Sequence, residues 1–194
     1  MTALDRRQPA PGADRTTAEE VVRVEGRAGT SWRPDLEPVF RSEYPRVVAA
    51  AHRVVGSTGA AEDVAQDVFL AFARSTVPAE EARGWLTVAA VHTALNHVRG
   101  DRRRDARERR AADPATDPLV PDVADSADRA LEHARVRAAL VRMPRQQATV
   151  LVLRHSGLSY AEIAAHTELS PGSVGTTLRR AEAALRQELT DAPH

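Results

Sequence analysis

Residues 84–104 read GWLTVAAVHTALNHVRGDRRR, and the way this stretch divides its faces decides what fold the chain can have. At helical pitch Trp85, Val88, His92, Asn96, Arg99 and Arg103 fall in one stripe, while Leu86, Ala90, Val91, Ala94 and Val98 fill the opposite arc. The apolar arc predicts a helix packed against other helices. The other stripe runs from an aromatic ring, through two groups able to hydrogen-bond base edges, into guanidinium groups. Stacking plus charge of that kind holds an unwound nucleic-acid strand. Trp85 is equally readable as a core residue at the helix entry, with the arginines as a solvated helix end complementing the dipole.

Upstream, a helical pattern opens at Asp35, with Leu36, Phe40, Tyr44, Val47, Val48, Ala51 and Val55 at helical spacing, and Gly56 to Gly59 ends it. A second helix, 60–74, turns Val64, Val68 and Phe72 one way and Glu62, Asp63, Gln66 and Asp67 the other. A loop from Ser75 to Arg83 then leads into the stretch quoted above. Residues 1–34 are rich in Pro, Gly, Ala, Thr and charge, with one apolar cluster at Val21, Val22 and Val24, and are expected to be mobile.

Downstream, Asp113 to Asp128 contains Pro114, Pro118 and Pro121, five Asp and no basic residue, which predicts an extended, self-repelling linker. Beyond it, Leu131, Ala134, Ala138 and Val141 mark a helix facing inward, stopped at Met143-Pro144. Gln146 to His155 makes another, ended by Gly157. Ser159 and Glu162 form a capping box for a short helix to about His166. Ser170-Pro171 caps and starts the last one, with Val174, Leu178, Ala181, Leu185 and Leu189 inward and Ser173, Thr176, Arg179 and Arg180 outward. A short turn between the last two helices reads as helix-turn-helix, whose second helix can enter a major groove.

The expected architecture is all-α: two small helical domains joined by a flexible acidic linker. The divisions fall at 1–34 for the extension, 35–110 for the first domain, 111–129 for the linker and 130–194 for the second domain. Units near ~70 residues bury only about 60% of their unfolded surface, so each is expected to gain rigidity from a larger partner. Formal charge is zero, with 27 acidic and 27 basic residues, and every basic residue is Arg. From Arg99 to Arg110, however, seven Arg outweigh three acids. A neutral chain with one basic cluster should bind DNA weakly unless helped. No cysteine is present, which excludes a disulfide framework or thiolate zinc site within the chain. No apolar run approaches the ~20 residues of a membrane span, and no export signal is visible, so a cytoplasmic protein without membrane insertion is expected.

No nucleophile motif, glycine-rich phosphate loop or metal-ligand spacing occurs; His92 and His97 do not share a helix face. Neither catalytic residue, metal, cofactor nor small-molecule substrate is expected. A helix-turn-helix regulator that binds duplex DNA without RNA polymerase is the competing class, and its first domain would be a ligand or dimer module.

The runs AAEDVAQDVFLAFAR (60–74), GWLTVAAVHTALNHVRGDRRR (84–104) and MPRQQATVLVLRHSGLSYAEIAAHTELSPGSVGTTLRRAEAAL (143–185), in this order, resemble the extracytoplasmic-function (ECF) class of bacterial sigma-70 factors. These are promoter-specificity subunits of RNA polymerase. The resemblance implies that the first domain is region 2-like and the second region 4-like. It assigns Asp63, Gln66 and Asp67 to docking on the clamp of core RNA polymerase. It gives Trp85, His92, Asn96, Arg99, Arg102, Arg103 and Arg104 to the melted minus-10 strand of promoter DNA, with the loop 75–83 capturing a flipped base. Ser173, Thr176, Arg179 and Arg180 would read the minus-35 duplex. It also implies an anti-sigma factor as a partner. The chain departs from the family pattern at Thr167, at Glu168, where a left-handed Gly is usual and a non-Gly residue would cost about 1 kcal/mol, and at Gly175, Thr177 and Glu182 along the recognition helix.

Overall fold

The computed structural model describes residues 33–111 and 124–191, with side chains described for 33–104 and 130–191. The expectations for residues 1–32 and for the linker residues 112–123 lie outside this set. Every regular element among the described residues is helical.

Helix α1, Leu36–Val55, is entered through Arg33, whose guanidinium pairs with Asp35 and lies 4.2 Å above the Phe72 ring. Pro45 sits inside α1, where its missing N–H interrupts the hydrogen-bond ladder. Gly56 ends the helix with φ 76° and its N–H bonds the His52 carbonyl at 2.8 Å, the left-handed closure that glycine adopts without steric cost. Ser57 caps α2, Thr58–Ala73, by accepting from the Ala60 amide. A single 3₁₀ turn, Ala79–Glu81, then delivers the chain into α3, Ala82–Ala111. At 30 residues, α3 is about 45 Å long.

The second half contains α4 (Ala124–Arg142), α5 (Arg145–His155), α6 (Tyr160–Ala165) and α7 (Pro171–Thr190). Helix α4 starts at Ala124, so the tail of the expected linker, 124–129, is helical; that segment carries no proline and two alanines, and propensity wins there. Its inward face is also displaced from expectation. Leu131 is 57% exposed, whereas Ala139, Leu140 and Met143 are buried, because only the C-terminal turns of α4 reach the rest of the bundle. The expected capping box is present in full, with Ser159 Oγ accepting from the Glu162 amide and the Glu162 carboxylate accepting from the Ser159 amide at 2.7 Å. Ser170 caps α7 and Pro171 opens it.

The turn between α6 and α7 corrects one expectation. No described non-glycine residue has a positive φ, so Glu168 is not left-handed and pays no such strain. Thr167 explains how: its hydroxyl donates back to the Ile163 carbonyl at 2.7 Å and closes the helix end without a left-handed residue.

The two halves share one continuous apolar core. Helix α1 packs on α2 and α3, α7 packs on α4, α5 and α6, and α3 reaches across to α5 and α6. The halves are therefore docked together, not held apart.

Candidate nucleic-acid interface

Burial along α2 follows the expected division. Val64, Val68 and Phe72 are buried, while Asp63, Gln66 and Asp67 are exposed on the opposite side. Nothing in the described structure covers these carboxylates, and they form a negative helix face one turn long. Beside them Phe40, Tyr44 and Phe69 form an aromatic cluster, with ring centroids 4.7 Å apart for Phe40–Tyr44 and 4.9 Å for Phe40–Phe69. Phe40 was expected inside, but it is 41% exposed, because the cluster sits at the rim of α1 and α2.

Helix α3 changes character along its length. From Gly84 to Val91 every residue is buried, because α1 and α2 flank this part and α5 and α6 close over it. Trp85 is 3% exposed and lies against Phe72, ring centroids 5.9 Å apart. It cannot stack a nucleobase from there, and the core reading of this residue replaces the strand-holding one. His92 is half-buried and Asn96 is exposed. Arg102, Arg103 and Arg104 project into solvent, where Arg104 also pairs with Asp101 at 2.8 Å.

Arg99 is the exception among these arginines. Its Nη2 donates to the Met143 carbonyl at 2.9 Å, reaching from the first half to the residue just past the end of α4. Desolvation, and then Arg145 and Arg103, push its pKa below the ordinary arginine value. A guanidinium at a helix C-terminus satisfies an orphan carbonyl and complements the dipole.

The approach to α3 carries two acids, with Arg83 exposed at its end. Glu80 and Glu81 are exposed in the loop 75–83, whose start is pinned by Ser75 Oγ donating to the Phe72 carbonyl at 2.8 Å. On α7, Thr176, Arg179 and Arg180 are exposed and Ser173 is half-buried, its hydroxyl 2.7 Å from that of Ser170. The α7 set is therefore presented together on one side of the helix, opposite buried Val174, Leu178 and Ala181.

A second contact between the halves had no signal in the sequence. The imidazole of His166, at the end of α6, rests on Gly84 so closely that a Cβ there would collide with it. Burial lowers the His166 pKa below its usual 6.5, although Glu81 and Glu162 pull the other way. Glu162 is held below the carboxylate norm by its hydrogen bonds from Ser159.

Comparison with known proteins now decides the family. The model of sigma-70 region 2 matches residues 39–104, and that of sigma-70 region 4 matches residues 133–185. The chain belongs to the sigma-70 family, in its ECF class. It is 28% identical over 162 residues to RNA polymerase sigma factor YlaC of Bacillus subtilis, covering 81% of this chain and 94% of YlaC. The "Probable ECF RNA polymerase sigma factor SigI" of Mycobacterium tuberculosis is 30% identical over 164 residues, covering 81% of this chain but 55% of SigI, so this sigma factor spans about half the length of that relative. The co-crystal structure of the sigma factor RpoE with the anti-sigma factor NepR from Bartonella quintana contains a similar fold, with TM-score 0.51 and 20% identity over 83% of this chain and 100% of that one. The helical two-part fold of this sigma factor is thus shared with a solved relative.

Proposed function

We propose that this sigma factor directs core RNA polymerase to promoters by dividing the work between its halves. The acidic face of α2, Asp63, Gln66 and Asp67, mounts the protein on the polymerase clamp. Asn96, Arg102, Arg103 and Arg104, with Arg99 once released, hold the melted minus-10 strand, and the loop 75–83 accepts a base turned out of the stack. Capturing that base offsets the few kcal/mol that unstacking costs. Thr176, Arg179 and Arg180, joined by Ser173, read the minus-35 duplex. The carrying observation is that α2 and α7 present these sets on solvent-facing sides while their apolar sides fill one core.

Elementary dimensions add a requirement. Elements named for positions 35 and 10 are roughly 25 base pairs apart, or about 85 Å of duplex at ~3.4 Å per step. Two domains sharing one core cannot span that distance, so the promoter-bound form must be opened about the linker. Polymerase supplies the separation and performs the synthesis; the sigma factor contributes recognition without chemistry of its own. It works in the cytoplasm. Among the described residues no helix is long and apolar enough to cross a membrane. An anti-sigma factor would hold it inactive, a role that fits the company in which RpoE was solved.

The double variant Asp63→Arg, Asp67→Arg should lower co-elution with purified core polymerase at least tenfold while the melting temperature stays unchanged. Unaltered co-elution would remove the docking face. Run-off transcription on a library of native templates tests the whole reading, and silence on every template, with core enzyme active, would overturn it.

A further inference from the structure

A cavity of about 360 Å³ lies where α1 of the first half meets α4, α5 and α7 of the second. Sites for small ligands favour such junctions and start at about 300 Å³. Its floor is aliphatic, built from Val136, Leu140, Leu151 and Leu185. Its rim is basic: Arg53 and His52 come from the last turn of α1, Arg137 and His133 from α4, and His155 from α5. Among the described residues no carboxylate lines it.

The rim is built with both halves. Arg137 crosses Gly56, the left-handed residue that ends α1, and any Cβ at position 56 would strike its guanidinium. Glycine there serves the turn and also lets a cation from α4 lie over the first domain. Arg53 is steadied by Nη1 donating to the Ala49 carbonyl at 3.1 Å, which leaves its other N–H groups for a guest. His155 donates from Nδ1 to the Leu151 carbonyl at 3.0 Å, leaving Nε2 as its second polar atom.

An aliphatic floor under two guanidinium groups and three imidazoles, with no carboxylate among the described lining residues, fits a guest with an apolar body and one anionic head. We propose that this cavity is a binding site for a free medium-chain fatty carboxylate, its chain between α4, α5 and α7 and its carboxylate bridging Arg53 and Arg137. A guidinium-type donor pair on opposite halves makes the guest a clamp: it binds the docked arrangement and not the separated one, so it must favour docking by linkage. The consequence for transcription rests on the promoter-binding role proposed above; the binding itself does not.

The test uses the full chain and decanoate, without polymerase or DNA, so its outcome is independent of that role. Because the chain has no cysteine, spin labels can be placed by Ser42→Cys and Gln187→Cys, both exposed positions on opposite halves. Calorimetry should show saturable one-to-one binding below the micellar concentration, and the distance distribution between labels should narrow to the short component. Arg53→Ala and Arg137→Ala should each weaken binding at least tenfold, and decanol should bind at least tenfold more weakly than decanoate. Leu140→Trp, which fills the floor, should abolish binding; Leu140→Met, which conserves volume, should retain it. Absence of saturable binding overturns the site. So does equal binding of decanol, insensitivity to both arginine variants, or a label distance that decanoate leaves unchanged. Vesicles of anionic phospholipid are the second arm: binding to them with none to decanoate would assign the rim to a membrane surface and equally overturn it.

Discussion

Trp85 shows how one side chain settles between two uses. It is 3% exposed against Phe72, and its indole Nε1 is buried with no hydrogen-bond partner. Most of its contribution is therefore packing, partly offset by an unpaired donor. Trp85→Ala should destabilise the protein by about 3–5 kcal/mol, while Trp85→Phe, which deletes the donor and keeps a ring, should cost far less. Urea unfolding checks both. His166 makes a second residue-level prediction. Its folded pKa is depressed below 6.5 by burial against Gly84, so the unfolded chain takes up a proton more readily than the folded one. Its contribution to stability is fully present above pH 6.5 and is lost as pH falls from there through the lower folded value. Glu81 and Glu162, the acids that face it, moderate the effect. His166→Gln should flatten the loss of stability below pH 6.5 in thermal melts across pH. Glu162, also depressed, acts in a separate, more acidic window: its contribution holds above the usual carboxylate range and disappears as pH falls through its folded value.

At the scale of helices, local chemistry was readable, and facing was readable along α2 and most of α7 but not along α4 or the early turns of α3. Gly56, Ser159 with Glu162, and Ser170 with Pro171 close or open their helices where their side chains predict, because capping is settled within one turn. The inward face of α4 depends on which elements surround it, and Leu131 lies beyond their reach. Trp85 drops out of its expected stripe for a related reason. A 3.6-residue period reports one buried face, but the early turns of α3 are enclosed on several sides, so polarity there loses its period. The turn at Thr167 and Glu168 hides a hydroxyl-to-carbonyl bond that substitutes for glycine. Gly175 offers a test on α7. An added methyl would meet Tyr160 at 3.4 Å, ordinary contact distance, so Gly175→Ala should stabilise the helix by up to about 1 kcal/mol, seen as a raised melting temperature.

For the whole molecule, the order of parts and the exposed sets on α2 and α7 could be read along the chain, since three motifs and a break carry them. The docking of the two halves could not. It depends on Arg99 with Met143, His166 with Gly84 and Arg137 with Gly56, pairs far apart in sequence and without a shared motif. Gly84→Ala pushes a methyl into the His166 ring and should separate the halves while leaving α3 intact. A longer and broader distance between labels on the two halves, with unchanged helix content by circular dichroism, is the expected result.

The bond from Arg99 to the Met143 carbonyl joins an ion to a neutral acceptor. Attraction to a phosphate backbone fades steeply as electrolyte rises, because displaced counterions return, whereas a contact with an uncharged oxygen in a half-buried setting is screened much less. In the role proposed for Arg99 on the melted strand, one guanidinium thus chooses between two partners with different responses to ionic strength. On that proposal brine favours its own backbone and dilute buffer favours nucleic acid, so added salt would shift the sigma factor toward the docked form.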